Sequence, residues 1–186
     1  KGSRKKTRYK WFETQDNIAY YKNFEIEKIV YPETTQGAYF VYDNNNYYLD
    51  KTCFMIVGEH LKYLNAILSS KLYEYVFKKF YSGQNMGKSS YQYNKVFLEK
   101  LPVKPFSNRT ALEKRVSKIL ENNKKILDYK VLYKRYEIEK QYDKLIDLDK
   151  LIEICKRNIQ EIDYEINQEV YNIYGLNDKE IKFIEK

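Results

Sequence analysis

From residue 106 to residue 174 the chain contains neither glycine nor proline. Within that stretch Leu145, Leu148, Ile152, Cys155, Ile159, Ile162, Ile166, Val170 and Ile173 step by threes and fours. Such spacing puts the apolar side chains on one helical face, in a seam of about four heptads. A helix this apolar along one stripe must bury it against a partner. An earlier face supplies one: Leu112, Val116, Ile119, Leu120, Ile126 and Leu127 recur at helical spacing, behind a capping-box signature at Thr110-Ala-Leu-Glu113. Gly175 after Tyr174 is a helix stop. The pattern predicts two long helices in an antiparallel hairpin, with the connecting turn within residues 140–148.

Residues 1–106 are unlike this. They carry 17 Lys and Arg against 10 Asp and Glu, a net of +7, whereas residues 107–186 carry 17 against 16, a net of +1. All three prolines and 14 of the 21 tyrosines are in the first part. The division predicts a β-rich unit over 1–106 and the helical hairpin over 107–186, an α+β chain. The positive charge sits on the first unit, so an anionic partner should meet that unit. With two cysteines and one histidine, neither a disulfide scaffold nor a Cys/His zinc cage can be built. No run approaches the length of a membrane span. The start at Lys1-Gly2-Ser3 rather than Met reads as a fragment cut from a larger protein, or as one with a cloning scar.

The first unit reads as short strands at residues 9–14, 26–31, 38–42, 47–50, 52–57 and 91–93. Asp43-Asn44-Asn45-Asn46 signals a hairpin turn joining 38–42 to 47–50. The period then lengthens, and Leu61, Leu64, Ile67, Leu68, Leu72 and Val76 predict one long helix over about residues 59–80. A polar, Gly-containing loop follows at 82–90, and Leu101-Pro102-Val103 closes the unit. Trp11, Phe12, Tyr39 and Phe40 are expected in the core or in strand pairs, and Cys53 and Cys155 as buried, reduced thiols.

Catalytic groupings do not assemble. An adenine methyltransferase loop needs a Pro-Pro pair, and the prolines stand at 32, 102 and 105. Glu180-Ile-Lys182 with Asp163 upstream has the letters of a metal-dependent nuclease. However, Asp163 reads as helical and Glu180 lies past the Gly175 stop. His60 near a helix start reads as a surface or capping residue.

Binding groups do assemble. Duplex DNA requires cations for phosphates and polar side chains for base edges. Arg4, Lys5, Lys6, Arg8 and Lys10 form a basic start, and Lys78 and Lys79 precede the 82–90 loop. These are the candidate phosphate contacts. Asn and Gln can pair with adenine, and Arg or Lys with guanine. The candidate base readers are Gln36, Asn44, Asn46, Gln84, Asn85, Lys88, Ser89, Ser90 and Gln92. For Asn44 to Asn46, turn formation competes with base reading.

Five segments, in order, resemble a known family: Thr7-Arg-Tyr-Lys-Trp-Phe-Glu13, Lys28-Ile-Val-Tyr-Pro-Glu33, Ala38-Tyr-Phe-Val-Tyr-Asp43, Tyr63-Leu-Asn-Ala-Ile-Leu-Ser-Ser-Lys71 and Leu98-Glu-Lys-Leu-Pro-Val103. Their order and spacing are similar to the TaqI-like target recognition domain of restriction-modification proteins. The stretch Ile162-Asp-Tyr-Glu-Ile-Asn-Gln-Glu-Val-Tyr-Asn-Ile-Tyr-Gly-Leu176, with Glu180 beyond it, resembles the C-terminus of type IIG enzymes. The resemblance implies a bacterial, cytoplasmic parent that joins a nuclease, an adenine-N6 methyltransferase and a recognition domain. Its S-adenosylmethionine and Mg2+ would be held outside this chain. It implies double-stranded DNA as partner, the methyltransferase and nuclease regions as neighbours, and no catalysis by this chain alone. Half of a type I specificity subunit and a basic helical adaptor for protein or RNA are the alternatives. The hairpin has three readings: a spacer on its own recognition unit, a docking element for the methyltransferase, or a dimerisation seam.

Overall fold

The computed structural model describes residues 10, 12, 19–50, 52–81, 90–105 and 109–186. The β-branched and aromatic run at 28–32 forms β1 (Lys28–Pro32), which opens with Ile29 and Tyr31 facing the core. β1 is the centre of a three-stranded antiparallel sheet between β3 (Val41–Asp43) and β4 (Cys53–Ile56). The registers are Lys28 opposite Asp43, and Ile29 opposite both Tyr42 and Ile56. A second, two-stranded sheet pairs β2 (Thr34–Thr35) with β5 (Tyr91–Gln92). Expectation and structure differ at 47–50, which is not a strand. Asp43 ends β3 and turns its carboxylate onto the following backbone, so the chain leaves the sheet instead of folding back on β3. The strand expected at 9–14 falls almost wholly outside the described residues.

The single helix expected over 59–80 is broken. α1 (Leu61–Leu68) stops at Ser69-Ser70, and α2 (Lys71–Val76) starts afresh. Ser70 is extended, with φ −72° and ψ 151°, and its hydroxyl accepts from the Tyr73 N–H as an N-cap. The side chain of Asn167, from the second long helix, accepts from the Lys71 N–H at 2.8 Å. A π-helical turn, Phe77–Tyr81, then closes α2, and a short α3 (Lys95–Leu98) follows β5.

The hairpin is antiparallel as expected, with α4 (Thr110–Ile138) against α5 (Tyr142–Tyr174). Arg115 on α4 pairs with Glu165 at 2.9 Å and with Glu169 on α5. The α5 seam is buried within the chain. Leu145, Leu148, Ile152 and Cys155 lie under 10% exposed. Ile166, Val170 and Ile173 join Leu112 and Val116 in one continuous core with α1, α2 and the sheet. Leu127, expected on the buried face of α4, is 62% exposed. It lies beyond the part of α4 that packs on α1.

Both long helices end in Schellman motifs. After α4, Gln141 N–H donates to Tyr136 C=O and Lys140 N–H to Glu137 C=O. After α5, Leu176 N–H donates to Tyr171 C=O and Gly175 N–H to Asn172 C=O. The left-handed residue is Lys140 (φ 55°) in one and Gly175 (φ 70°) in the other. The turn therefore sits at 139–141, at the near edge of the expected window. A side chain in this region costs roughly 1–2 kcal/mol. Lys140→Gly should raise the urea midpoint and Gly175→Ala should lower it, each by the equivalent of about 1 kcal/mol.

The C-terminal motif fastens the hairpin to the first unit. Tyr174 Oη lies 2.5 Å from Tyr73 Oη and accepts from the Lys104 N–H at 2.8 Å. Lys104 Nζ donates to Ile173 C=O at 2.7 Å, and Tyr73 donates to Pro102 C=O. Glu180 closes the capping box of α6 (Asp178–Ile184) by accepting from the Asn177 N–H at 2.8 Å. That is a helix-capping role for one letter of the nuclease-like triplet.

Candidate nucleic-acid interface

Tyr93 organises the ribbon made by β2 and β5. It is 1% exposed, and its side chain is surrounded by the rings of Phe77 (4.3 Å between centroids), Phe40 (4.8 Å), Tyr91 (5.3 Å) and Tyr31 (6.2 Å). Its N–H donates to Glu33 C=O at 2.9 Å, which continues the ladder. With that end anchored, Thr35 and Tyr91 point inward and the opposed pair Thr34 and Gln92 points outward. One position further on, Gln36 and Ser90 flank the open end of the ladder. Thr35 Oγ1 donates to Gly37 C=O at 2.7 Å and accepts from the Gly37 N–H at 3.2 Å, fixing the turn that presents Gln36. The Tyr39 ring lies against Gly37 so closely that a Cβ there would sit 3.3 Å from Tyr39 Cζ.

A cation, Lys78, lies beside the same ribbon. The π turn opens on Phe77, which is fully buried in the Tyr93 cluster, and leaves Lys78, Lys79 and Phe80 exposed. Lys78 Nζ lies 5.0 Å from the Tyr91 ring centre and 2.5 Å from Glu74 Oε1. Burial pushes the Tyr91 phenol up to about 12, the charge of Glu74 adds to the rise, and the Tyr93 hydroxyl opposes it. The ring beneath Lys78 is therefore neutral at physiological pH. An exposed pair such as Lys78–Glu74 is worth little in water, so the Lys78 ammonium can exchange that partner for a phosphate.

Asn44 and Asn46 are exposed in a different place, at the Lys28 end of β1, whereas the ribbon lies past the Pro32 end. The two groups are thus separated by the length of β1. Asn46 has φ 60°, a left-handed turn position. Beneath this loop Lys28 and Asp43 form an ion pair at 2.7 Å with side chains 0% and 4% exposed. Burial pushes the Asp43 carboxyl up, but Lys28 and the N–H groups of Asn45 and Tyr47 pull it further down, to below its ordinary 3.8. A carboxyl lowered by folding stabilises the fold above its ordinary range. That contribution is lost as pH falls through the lowered value.

Of the other residues expected from sequence, Lys10 is exposed with its ammonium 5.6 Å from the Phe12 ring. Arg4, Lys5, Lys6, Arg8, Gln84, Asn85, Lys88 and Ser89 lie outside the described residues. Phe40 is core, as expected, but Tyr39 is 60% exposed and Phe12 63%. For Tyr39 the cause is the Gly37 turn, which ends pairing before residue 41 and leaves the ring outside the sheet. Cys53 is only half-buried, because β4 fronts an open groove of about 1000 Å³. Sequence reasoning missed Thr34 as an outward partner of Gln92, and missed the exposed Tyr47 and Tyr48. The signal for the last two was their place directly after an Asx-type turn.

Among the described residues no three or more His, Cys, Asp or Glu side chains are grouped to hold a metal ion. Nor, among them, is any helix long and apolar enough to cross a membrane. A positively charged β unit with amide side chains on an exposed ribbon and lysines beside it has the make-up of a recognition module. Residues 2–103 match the family model of the TaqI-like C-terminal specificity domain, more than half of the chain, and the chain belongs to that family. The family drawn from the ordered motifs is thereby borne out. Specificity domains are the non-catalytic parts of restriction-modification enzymes that recognise DNA sequence. No curated protein matches the chain significantly.

Proposed function

We propose that this chain reads a short asymmetric site in duplex DNA for a type IIG restriction-modification enzyme. Residues 1–106 are the reader, and residues 107–186 are the spacer that seats it against the methyltransferase. Reading the site presents one adenine for flipping and N6 methylation and sets the distance to the cut. S-adenosylmethionine and Mg2+ act in other parts of the parent, as the family resemblance implies. The setting is the bacterial cytoplasm.

One observation carries the reading: Gln36, Ser90 and Gln92 meet on one ribbon beside Lys78, which Lys79 follows as a second exposed cation. Amide side chains match adenine edges, and adjacent ammonium groups match the phosphates that flank them. A two-stranded ribbon is narrow enough to enter a major groove. The burial of the α5 seam inside the chain supports a spacer role over self-pairing through that face.

The test is selection of a random duplex pool on the purified chain at two salt concentrations, with sequencing of what is retained. An asymmetric motif that persists at higher salt is the expected result. Affinity should fall with salt on a log–log slope of about −0.9 for each phosphate contacted. Retention of no duplex even at the lower salt would sink the proposal.

A further inference from the structure

Asp43 and Lys28 are a costly pair to bury. Two charges removed from water seldom add net stability, and the best-attested use of such pairs is to fix one arrangement against others. The hydrogen bonds show which arrangement is fixed. Lys28 Nζ donates to Asp43 at 2.7 Å, to Phe24 C=O at 2.9 Å and to Ile26 C=O at 3.4 Å, which occupies all three of its protons. Asp43 Oδ1 accepts from the Asn45 N–H at 2.8 Å, and Oδ2 from the Tyr47 N–H at 3.1 Å. The Phe24 ring stacks on Tyr48 at 5.0 Å between centroids. One buried pair therefore ties the 3-10 turn Tyr21–Glu25 to the 44–48 loop from beneath. It leaves Asn44, Asn45, Asn46, Tyr47 and Tyr48 all exposed on top.

We propose that Lys28 and Asp43 are positioning residues for DNA specificity, holding the 44–48 loop as a second reading element at the far end of β1 from the ribbon. The inference rests on the DNA-reading function proposed above. Its chemistry is the same as the ribbon's: carboxamides for base edges, with two tyrosines to contact the sugar-phosphate backbone. Five residues of β1 at about 3.3 Å each separate the two elements by roughly the length of five base-pair steps at 3.4 Å. The loop and the ribbon then read opposite ends of one short site. Prefixing the loop matters because a floppy loop would have to be ordered on binding, at a cost to affinity and selectivity.

The experiment compares the motif selected from a random duplex pool by the wild-type chain, by Lys28→Met/Asp43→Leu and by Asn44→Ala/Asn46→Gly. The apolar pair removes the loop's two acceptors while keeping the interior filled. Melting temperature and the salt slope of binding are measured alongside. Both variants should keep the slope and the motif at one end. At the other end both should lose on the order of 10- to 100-fold in preference. Amide exchange of Asn45 and Tyr47 should speed up in the apolar variant alone. A purely structural pair would change melting without changing the motif, and that result overturns the proposal. So does a motif left whole by the asparagine variant, which does not touch the buried pair. Should the wild-type chain itself select no motif, the DNA-reading function has failed, and amide exchange still reports whether the pair fixes the loop.

Discussion

Tyr93→Ala should lower stability by about 3–5 kcal/mol, the range for deleting a large buried aromatic side chain. Domains of this kind are stable by only about 5–15 kcal/mol, so the loss is a large fraction of the whole. The size follows from its neighbours. Four aromatic rings lie within 6.2 Å of Tyr93 between centroids, and they come from β1, the 38–40 segment, the π turn and β5. The cavity left behind cannot collapse without moving all four. The backbone N–H of the same residue holds β5 to Glu33, so the ribbon should loosen as the core does. Urea unfolding checks this: the midpoint should drop while the slope stays constant. Tyr93→Phe is the control. Among the described residues the hydroxyl has only the Tyr91 hydroxyl, 3.4 Å away, within reach, so its removal should cost about 1 kcal/mol or less. Tyr39→Ala, at a 60% exposed position, should stay within about 0.5 kcal/mol of wild type. A Tyr93→Ala effect as small as that would mean the ribbon is not built on this cluster.

Tyr93 and Tyr39 also show where the sequence was informative. The hairpin was legible because a heptad seam is a long-range statement repeated many times, and no local exception can hide it. Its turn was less legible, because a Schellman motif is read from glycine and here Lys140 holds the left-handed position. The break between α1 and α2 was missed for the opposite reason. Leu61 to Val76 keeps its helical period across Ser69-Ser70, and the Ser70 cap is completed by Asn167, 96 residues away in sequence. Short strands were located to within a few residues, but pairing was not. That 47–50 fails to pair depends on Asp43 being drawn under the sheet by Lys28. Lys28 itself sits among β-branched neighbours in the sequence, where a lysine reads as solvent-facing. The ribbon residues were named one by one from their chemistry. Only the register of β2 with β5 brings Gln36, Ser90 and Gln92 together and leaves Asn44 and Asn46 elsewhere.

That register makes the second large effect specific. Gln36→Ala/Gln92→Ala should remove selectivity at neighbouring base pairs. A bidentate pairing of side chain with base edge is worth about 1–3 kcal/mol of discrimination, so the double variant should prefer the selected site far less than wild type does. Its salt slope should not move, because neither side chain carries charge. Lys78→Ala/Lys79→Ala should do the reverse. Affinity should fall for every sequence alike, and the slope should shrink by about 0.9 for each phosphate no longer neutralised. Lys79 should contribute more than Lys78, which Glu74 already holds at 2.5 Å and which must leave that partner to reach DNA. The two double variants therefore separate the roles that the ribbon and the π turn bring together. If the glutamine variant changes only the slope, or the lysine variant only the motif, the assignment of readers and anchors is inverted. If neither variant changes either quantity, the ribbon is not the DNA face, and the interface lies on another surface of the specificity domain.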